Sequence, residues 1–427
     1  MPTASRTVLF TTSLVVFLLF LPGAAVIEAT AQPAHPLDVP AGKALFERFW
    51  VAAPASTAAS DGLGPLYNAR SCAECHPGGG ASAAPEHLVL RLDDPIYGRQ
   101  LQTRALAGLQ PEARLLTTHQ TTAPPMGHPL SESISLHGTP TLDGTPTLNS
   151  MGHPLLMEQP LTRVEVHVDQ LAYGVLGGPW SLRMPPSLQV VGGIAAVRDS
   201  ALLALADPDD ADGDGISGRV SWVLVEGVAQ VGRYGWKAEG STLAHQVACA
   251  FSLDLGLGSA AFPDPHGDCT AAQTDCLRGV DGATTGDAPF ELADVVPALV
   301  VAYLQSLQPG EQAQQDVEGL ALFSSLGCQA CHVLQLDGQW LFSDLLLHDM
   351  GPALASGLPE PQAELREWRT APLSALSGKA RFLHDGRAST LSEAIFWHGG
   401  EAAQARSRWL ALSEEARNRL NVFLKQL

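Results

Sequence analysis

Two short stretches, Cys72-Ala-Glu-Cys75-His76 and Cys328-Gln-Ala-Cys331-His332, set two thiols and an imidazole in the same order and spacing. C-x-x-C-H is the pattern that attaches a c-type haem: the thiols form thioethers with the vinyl groups and the adjacent imidazole binds the iron from the proximal side. A structural zinc site needs four ligands, and a thioredoxin-like pair needs a βαβ setting. The spacing therefore predicts two covalent haem c groups, on Cys72, Cys75, Cys328 and Cys331, with His76 and His332 as proximal ligands.

Three of the seven cysteines remain. Cys269 and Cys276 flank a short loop in Gly/Asp/Thr-rich sequence and are expected to form a disulfide. Cys249 lies in the apolar run 247–251 and reads as a buried free thiol. A second candidate site is acidic. Residues 207–219 concentrate carboxylates at alternating positions, and Asp210, Asp212 and Asp214 with Gly215 match the first half of an EF-hand loop. The twelfth position is Ser221 rather than Glu, so the loop is either a Ca2+ seat of another kind or a solvated acidic turn.

The elements that position these residues read as mainly α, with a minor β hairpin and strand insertion. Residues 41–50 form an amphipathic pattern ahead of the first motif, and Gly319 to Phe323 precede the second more tightly. A helix carrying a Leu-Phe pair before C-x-x-C-H is the opening of a cytochrome-c-like domain, so two such haem domains are expected, over 38–309 and 310–427, divided at Pro309-Gly310. Helices are also expected over 185–206, over 292–307 and from Ser392 onward. Alternation predicts a strand over 162–168 and a hairpin, 220–225 and 228–234, around Glu226-Gly227. Residues 121–157 are a low-complexity loop in which Met126-Gly-His-Pro-Leu130 recurs as Met151-Gly-His-Pro-Leu155.

At 427 residues the chain has room for two or three domains. Residues 1–31 read as a signal peptide: Arg6 in the positive region, an apolar run over 8–21, and Ala29-Thr30-Ala31 as the cleavage site. An uncleaved anchor is the alternative; the mature form has no expected membrane span. Export to the periplasm or an equivalent compartment fits both haem attachment and a disulfide. The net charge of −19 makes nucleic acid and anionic membranes poor partners.

With both motifs placed, the chain resembles the di-haem oxidoreductases long called "thiol oxidoreductases", relatives of bacterial di-haem cytochrome c peroxidases. The resemblance runs from about residue 40 to the C-terminus. It is carried by the phrases Asp61–Cys72, Asp207–Arg219, Gly232–Ala238, Leu347–Gly351, Glu367–Pro372, Phe382–Ala388 and Glu393–Ala402. In the related peroxidases a His-Asp-Gly segment precedes a Met that is the sixth ligand of the C-terminal haem. At similar spacing from His384 this chain has His398, which the resemblance makes the candidate distal ligand, with His348 and Met350 as competitors. His384 itself is expected to bond a propionate or hold its turn. For the first haem His87, His128, His153, Met126, Met151 and Met184 stay open as distal ligands, and a free sixth position is what a peroxidase needs. Its acid–base carboxylate is not placed by sequence; Glu86, Asp93, Asp94 and Glu165 read as bystanders.

The resemblance implies a peroxidase-like oxidoreductase. Electrons from a small redox protein would arrive at the C-terminal haem, and peroxide or another substrate would react at the N-terminal one. A pure electron-transfer cytochrome, and a di-haem oxidase that modifies a partner protein, are the alternatives.

Overall fold

Helix α1 (Asp38–Glu47) crosses α6 (Val295–Gln305) at Gly42, where a Cβ would lie 1.9 Å from the Leu299 carbonyl oxygen. Only glycine lets two helix backbones approach so closely. Phe46 and Tyr303 then meet across the crossing, with ring centroids 5.3 Å apart.

The computed structural model describes residues 35–56, 60–122, 161–280, 290–308, 316–374 and 376–427. The expected signal peptide, the Pro309-Gly310 boundary, and the repeat from residue 123 onward, with Met126, His128, Met151 and His153, lie outside the described residues. Residues Pro36–Leu427 form one compact unit.

Among the described residues are ten α-helices and eleven short strands, so the β component is larger than one hairpin and one strand. Strands β2 (Val89–Asp94), β3 (Gly98–Gln100) and β7 (Trp180–Arg183) make an antiparallel sheet in the order β3-β2-β7. Strands β5 (Arg114–Thr122) and β6 (Leu161–Asp169) pair along their whole length, and the repeat segment joins them. Strands β8 (Ser221–Val225) and β9 (Val228–Gly232) form the expected hairpin. Glu226 and Gly227 both have positive φ, 49° and 79°, which suits the right-handed twist of a two-residue turn.

The stretch 185–206 is two helices rather than one: α3 (Val191–Ala196) and α4 (Asp199–Leu205). Val197 and Arg198 between them are extended, and the Arg233 side chain bonds the Val197 carbonyl and the Asp199 carboxylate. A guanidinium from the hairpin thus satisfies the groups that the break exposes.

Helix α5 (Leu243–Leu255) starts at Thr242, whose hydroxyl accepts from His245 N at 3.1 Å, and ends at Gly256 in the left-handed region. Its Leu243, Val247, Phe251 and Leu255 are buried at helical spacing in the largest core. That core joins Leu45 and Trp50 to Leu336, Leu341 and Leu345, so it draws side chains from both sides of residues 309–315. A second core sits around Phe323, Phe342 and Phe423, between α7 (Val317–Ser325) and α10 (Glu414–Leu424).

Candidate functional site

The first motif is a single turn, α2 (Cys72–Cys75), fixed at its start by the Glu74 carboxylate, which accepts from Arg70 N and Ser71 N. Glu74 also pairs with Arg104 at 3.0 Å; just before the turn Trp50 N donates to the Arg70 carbonyl, and Arg70 Nε donates back to the Trp50 carbonyl. His76 follows, and its Nδ1 donates to the Gly80 carbonyl at 3.2 Å. The second motif begins at Cys328 after Gly327 in the left-handed region. His332 Nδ1 donates to the Phe342 carbonyl at 2.9 Å, with Phe342 itself at a φ of 51°.

Both imidazoles have Nε2 as the one nitrogen left for a metal, in the orientation that a backbone acceptor enforces on a ligating histidine. Burial pulls each of them down to about 4, so each is a neutral lone-pair donor at neutral pH.

The four motif thiols are half-buried and unbridged. Burial pushes Cys72 and Cys328 up to about 12 and holds Cys75 and Cys331 up as well. Thiols raised by burial are not the activated thiolates of a reactive redox pair. The donor set therefore fits a haem at each motif.

His398 caps the C-terminus of α8 (Leu391–Trp397), and its Nδ1 donates to the Ala394 carbonyl at 2.7 Å. It repeats the arrangement of His76 and His332. Its charge is felt at His332, which puts the two imidazoles in one neighbourhood, and burial lowers its own pKa.

His348 is differently employed. On β10 (Leu347–Asp349) its Nε2 meets Asp344 at 2.9 Å and its Nδ1 meets Glu401 at 2.7 Å. Burial acts to lower its pKa, but its hydrogen bonds to Asp344, Cys331 and Glu401 carry it up to about 12. A doubly paired imidazolium has no lone pair to give. Met350 packs against the cluster of Leu354, Trp368 and Trp397.

His384 is buried and stacked on Trp368, with centroids 3.8 Å apart and planes at 14°. Around His76, the charge of His87 is felt, but His87 Nδ1 is held by the Ser82 hydroxyl at 2.6 Å. Met184 is buried, and its N–H donates to the His384 carbonyl at 2.6 Å.

Of the carboxylates read as bystanders, Glu86 and Asp93 are exposed. Asp94 accepts backbone N–H bonds from Ile96, Tyr97, Gly177 and Gly178, a structural anchor. Two carboxylates escaped the sequence reading. Asp254, near the end of α5, exerts its charge on both Cys72 and Cys75, and burial raises its own pKa. Glu112 is almost fully buried and pushed up to about 8 by burial, although it accepts from Gln102 N and Gln273 Nε2. Nothing in the local sequence of either signals burial.

Cys269 and Cys276 are joined by a disulfide, and Cys249 is a half-buried free thiol rather than a fully buried one. In the acidic loop, Asp210, Asp212 and Asp214 offer ligand oxygens within 4.8 Å of one another. No helix among the described residues is long and apolar enough to cross a membrane.

Two tethered imidazoles, each following a pair of cysteines, give a donor set that fits two haem groups. Residues 179–427, more than half of the chain, match the family described as "Di-haem oxidoreductase, putative peroxidase". The chain belongs to that family, whose members are oxidoreductases carrying two haem groups. Among solved structures it is similar to a variant of the diheme peroxidase BthA from Burkholderia thailandensis, at 17% identity over 84% of this chain and 71% of that one, with a TM-score of 0.33. Another BthA structure matches at 21% identity over 45% of this chain and 59% of that one (TM-score 0.28). A MauG-like protein associated with microbial copper homeostasis matches at 14% identity over 55% and 90% respectively (TM-score 0.27). No curated protein matches the chain.

Proposed function

We propose that this is an exported, peroxidase-type di-haem c oxidoreductase. Cys72, Cys75 and His76 would hold one haem; Cys328, Cys331, His332 and His398 would hold the other. The observation that carries this reading is the shared tether of His76, His332 and His398: each spends Nδ1 on a backbone carbonyl and keeps Nε2 for a metal.

The bound haems supply redox-active iron. The chain makes the two sites unequal. His332 has His398 nearby as a second tethered imidazole. At His76, among the described residues, the neighbouring imidazole is His87, held by a serine hydroxyl instead. A closed site suits electron uptake from a small redox protein, and an open one suits substrate. The N-terminal site is therefore assigned to peroxide or another oxidisable substrate. Two cytochrome-c-like haem domains, over 38–309 and 310–427, remain our reading of the chain's organisation.

The acidic loop is proposed as a seat for Ca2+, since hard oxygens in a Gly-rich turn match that ion. Calorimetric titration of chelator-treated protein should show uptake that is lost in Asp212→Asn; silence in the wild type removes the site.

Haem content after denaturation tests the main reading. Two haems should stay on each denatured chain, falling to one when Cys72 and Cys75 are both changed to Ser. The reduced protein should then give up its electrons to hydrogen peroxide. Haem that washes out on denaturation contradicts covalent attachment. A di-haem chain inert to peroxide is an electron relay or an oxidase of a different substrate.

A further inference from the structure

Arg183, the last residue of β7, is buried, and its Nη2 donates to Glu360 at 2.7 Å. Its Nε and Nη1 are also buried and have no hydrogen-bond partner. A charged donor left unmade inside a protein is costly, and such groups persist where a ligand, ion or water completes them.

Two more buried cations stand close by. Lys237 is fully buried, and its ammonium donates to backbone carbonyls, Glu364 O at 2.7 Å and Leu365 O at 3.2 Å. Both cations lie over the Trp368 ring, with Arg183 Cζ at 4.5 Å and Lys237 Nζ at 4.3 Å from its centroid. Arg369, buried beside Trp368, also bonds backbone carbonyls, of Gly235 and Thr370. Burial draws Lys237 down to about 8 and Arg369 down to about 10, more than the carboxylates of Glu239, Glu360, Glu367 and Asp344 around them offset.

This cluster is linked through its neighbours to both candidate haem sites. Past the end of β7 the chain runs through Met184 to Pro186, which lies beside His76. Met184 N–H bonds the His384 carbonyl, His384 stacks on Trp368, and the segment continues into α8, which His398 caps. Trp368 shares an apolar cluster with Trp397 of that helix.

We infer that the buried Arg183–Lys237–Arg369 cluster around Trp368 seats a haem propionate, with the free Nε–H and Nη1–H of Arg183 donating to its carboxylate. The inference rests on the di-haem reading above. Haem c carries carboxylates and no other anion, and a guanidinium is the side chain best matched to a planar carboxylate. The propionate belongs to either haem, and the potentials decide which.

Haem content is counted first. Fewer than two haems per wild-type chain contradicts the di-haem reading and this assignment with it. With two haems present, a redox titration that resolves them tests the seat alone. Arg183→Gln should lower the midpoint potential of one haem and leave the other in place, because a nearby cation favours the reduced, less positive iron. The haem that moves is the one whose propionate is held. Arg183→Lys should retain most of the wild-type potential. Glu360→Gln, which removes a neighbouring anion, should move the same haem upward. Resonance Raman needs no variant: one propionate bending band should have the frequency of a strongly hydrogen-bonded carboxylate. Unmoved potentials in Arg183→Gln and Glu360→Gln, or bending bands characteristic of solvated propionates alone, would overturn the assignment. Arg183 would then be completed by water or a small ion. If Arg183→Gln does not fold, Glu360→Gln and the Raman bands decide.

Discussion

An imidazole that donates Nδ1–H to a backbone carbonyl has its ring direction fixed and its Nε2 lone pair reserved. His76, His332 and His398 share that condition, and His348, paired on both nitrogens, does not. This separates His398 from His348 as candidate ligands to a degree that residue type alone cannot. At this scale His398→Met should raise the midpoint potential of the C-terminal haem, because thioether sulfur favours ferrous iron relative to a second imidazole. Spectroelectrochemistry should show a one-haem shift with a low-spin signal retained. An unchanged potential would mean that His398 does not touch iron. The motifs were legible because cysteine and histidine chemistry is written in consecutive residues. The acceptors that aim them were not: Phe342 reaches His332 through a left-handed backbone conformation that no motif announces.

Elements were legible where a local rule decided them. The hairpin at Glu226-Gly227 is a turn signal between alternating segments, and the structure turns there with both residues at positive φ. The helix expected over 185–206 breaks because Arg233, distant in sequence, takes the groups at Val197 and Asp199. The β2-β3-β7 sheet went unread since its strands are short and β7 is buried along most of its length. The α1–α6 crossing supplies the prediction at this scale. Alanine is the better helix former by about 1 kcal/mol, but its Cβ at position 42 would meet Leu299 O at 1.9 Å and Tyr303 Cβ at 2.9 Å. Overpacking costs about 1–3 kcal/mol, so it wins. Gly42→Ala should lower the thermal unfolding midpoint of the holoprotein with haem content unchanged. A raised midpoint would show that the two helices separate without cost.

At the scale of the molecule, the chain places a surplus of acid overall and a knot of buried cations within. Arg183, Lys237 and Arg369 come from distant stretches of sequence, and only the fold gathers them around Trp368. That is why no charge pattern in the sequence points to them. The same folding draws side chains from before and after residues 309–315 into one core. The two haem motifs, alike as text, thereby acquire different surroundings.

That inequality is the central claim, and electron paramagnetic resonance of the as-isolated ferric protein tests it most directly. The account predicts one high-spin signal from the haem on His76 and one low-spin signal from the haem on His332 and His398, the high-spin signal alone changing on addition of peroxide. Two low-spin haems that ignore peroxide would contradict it.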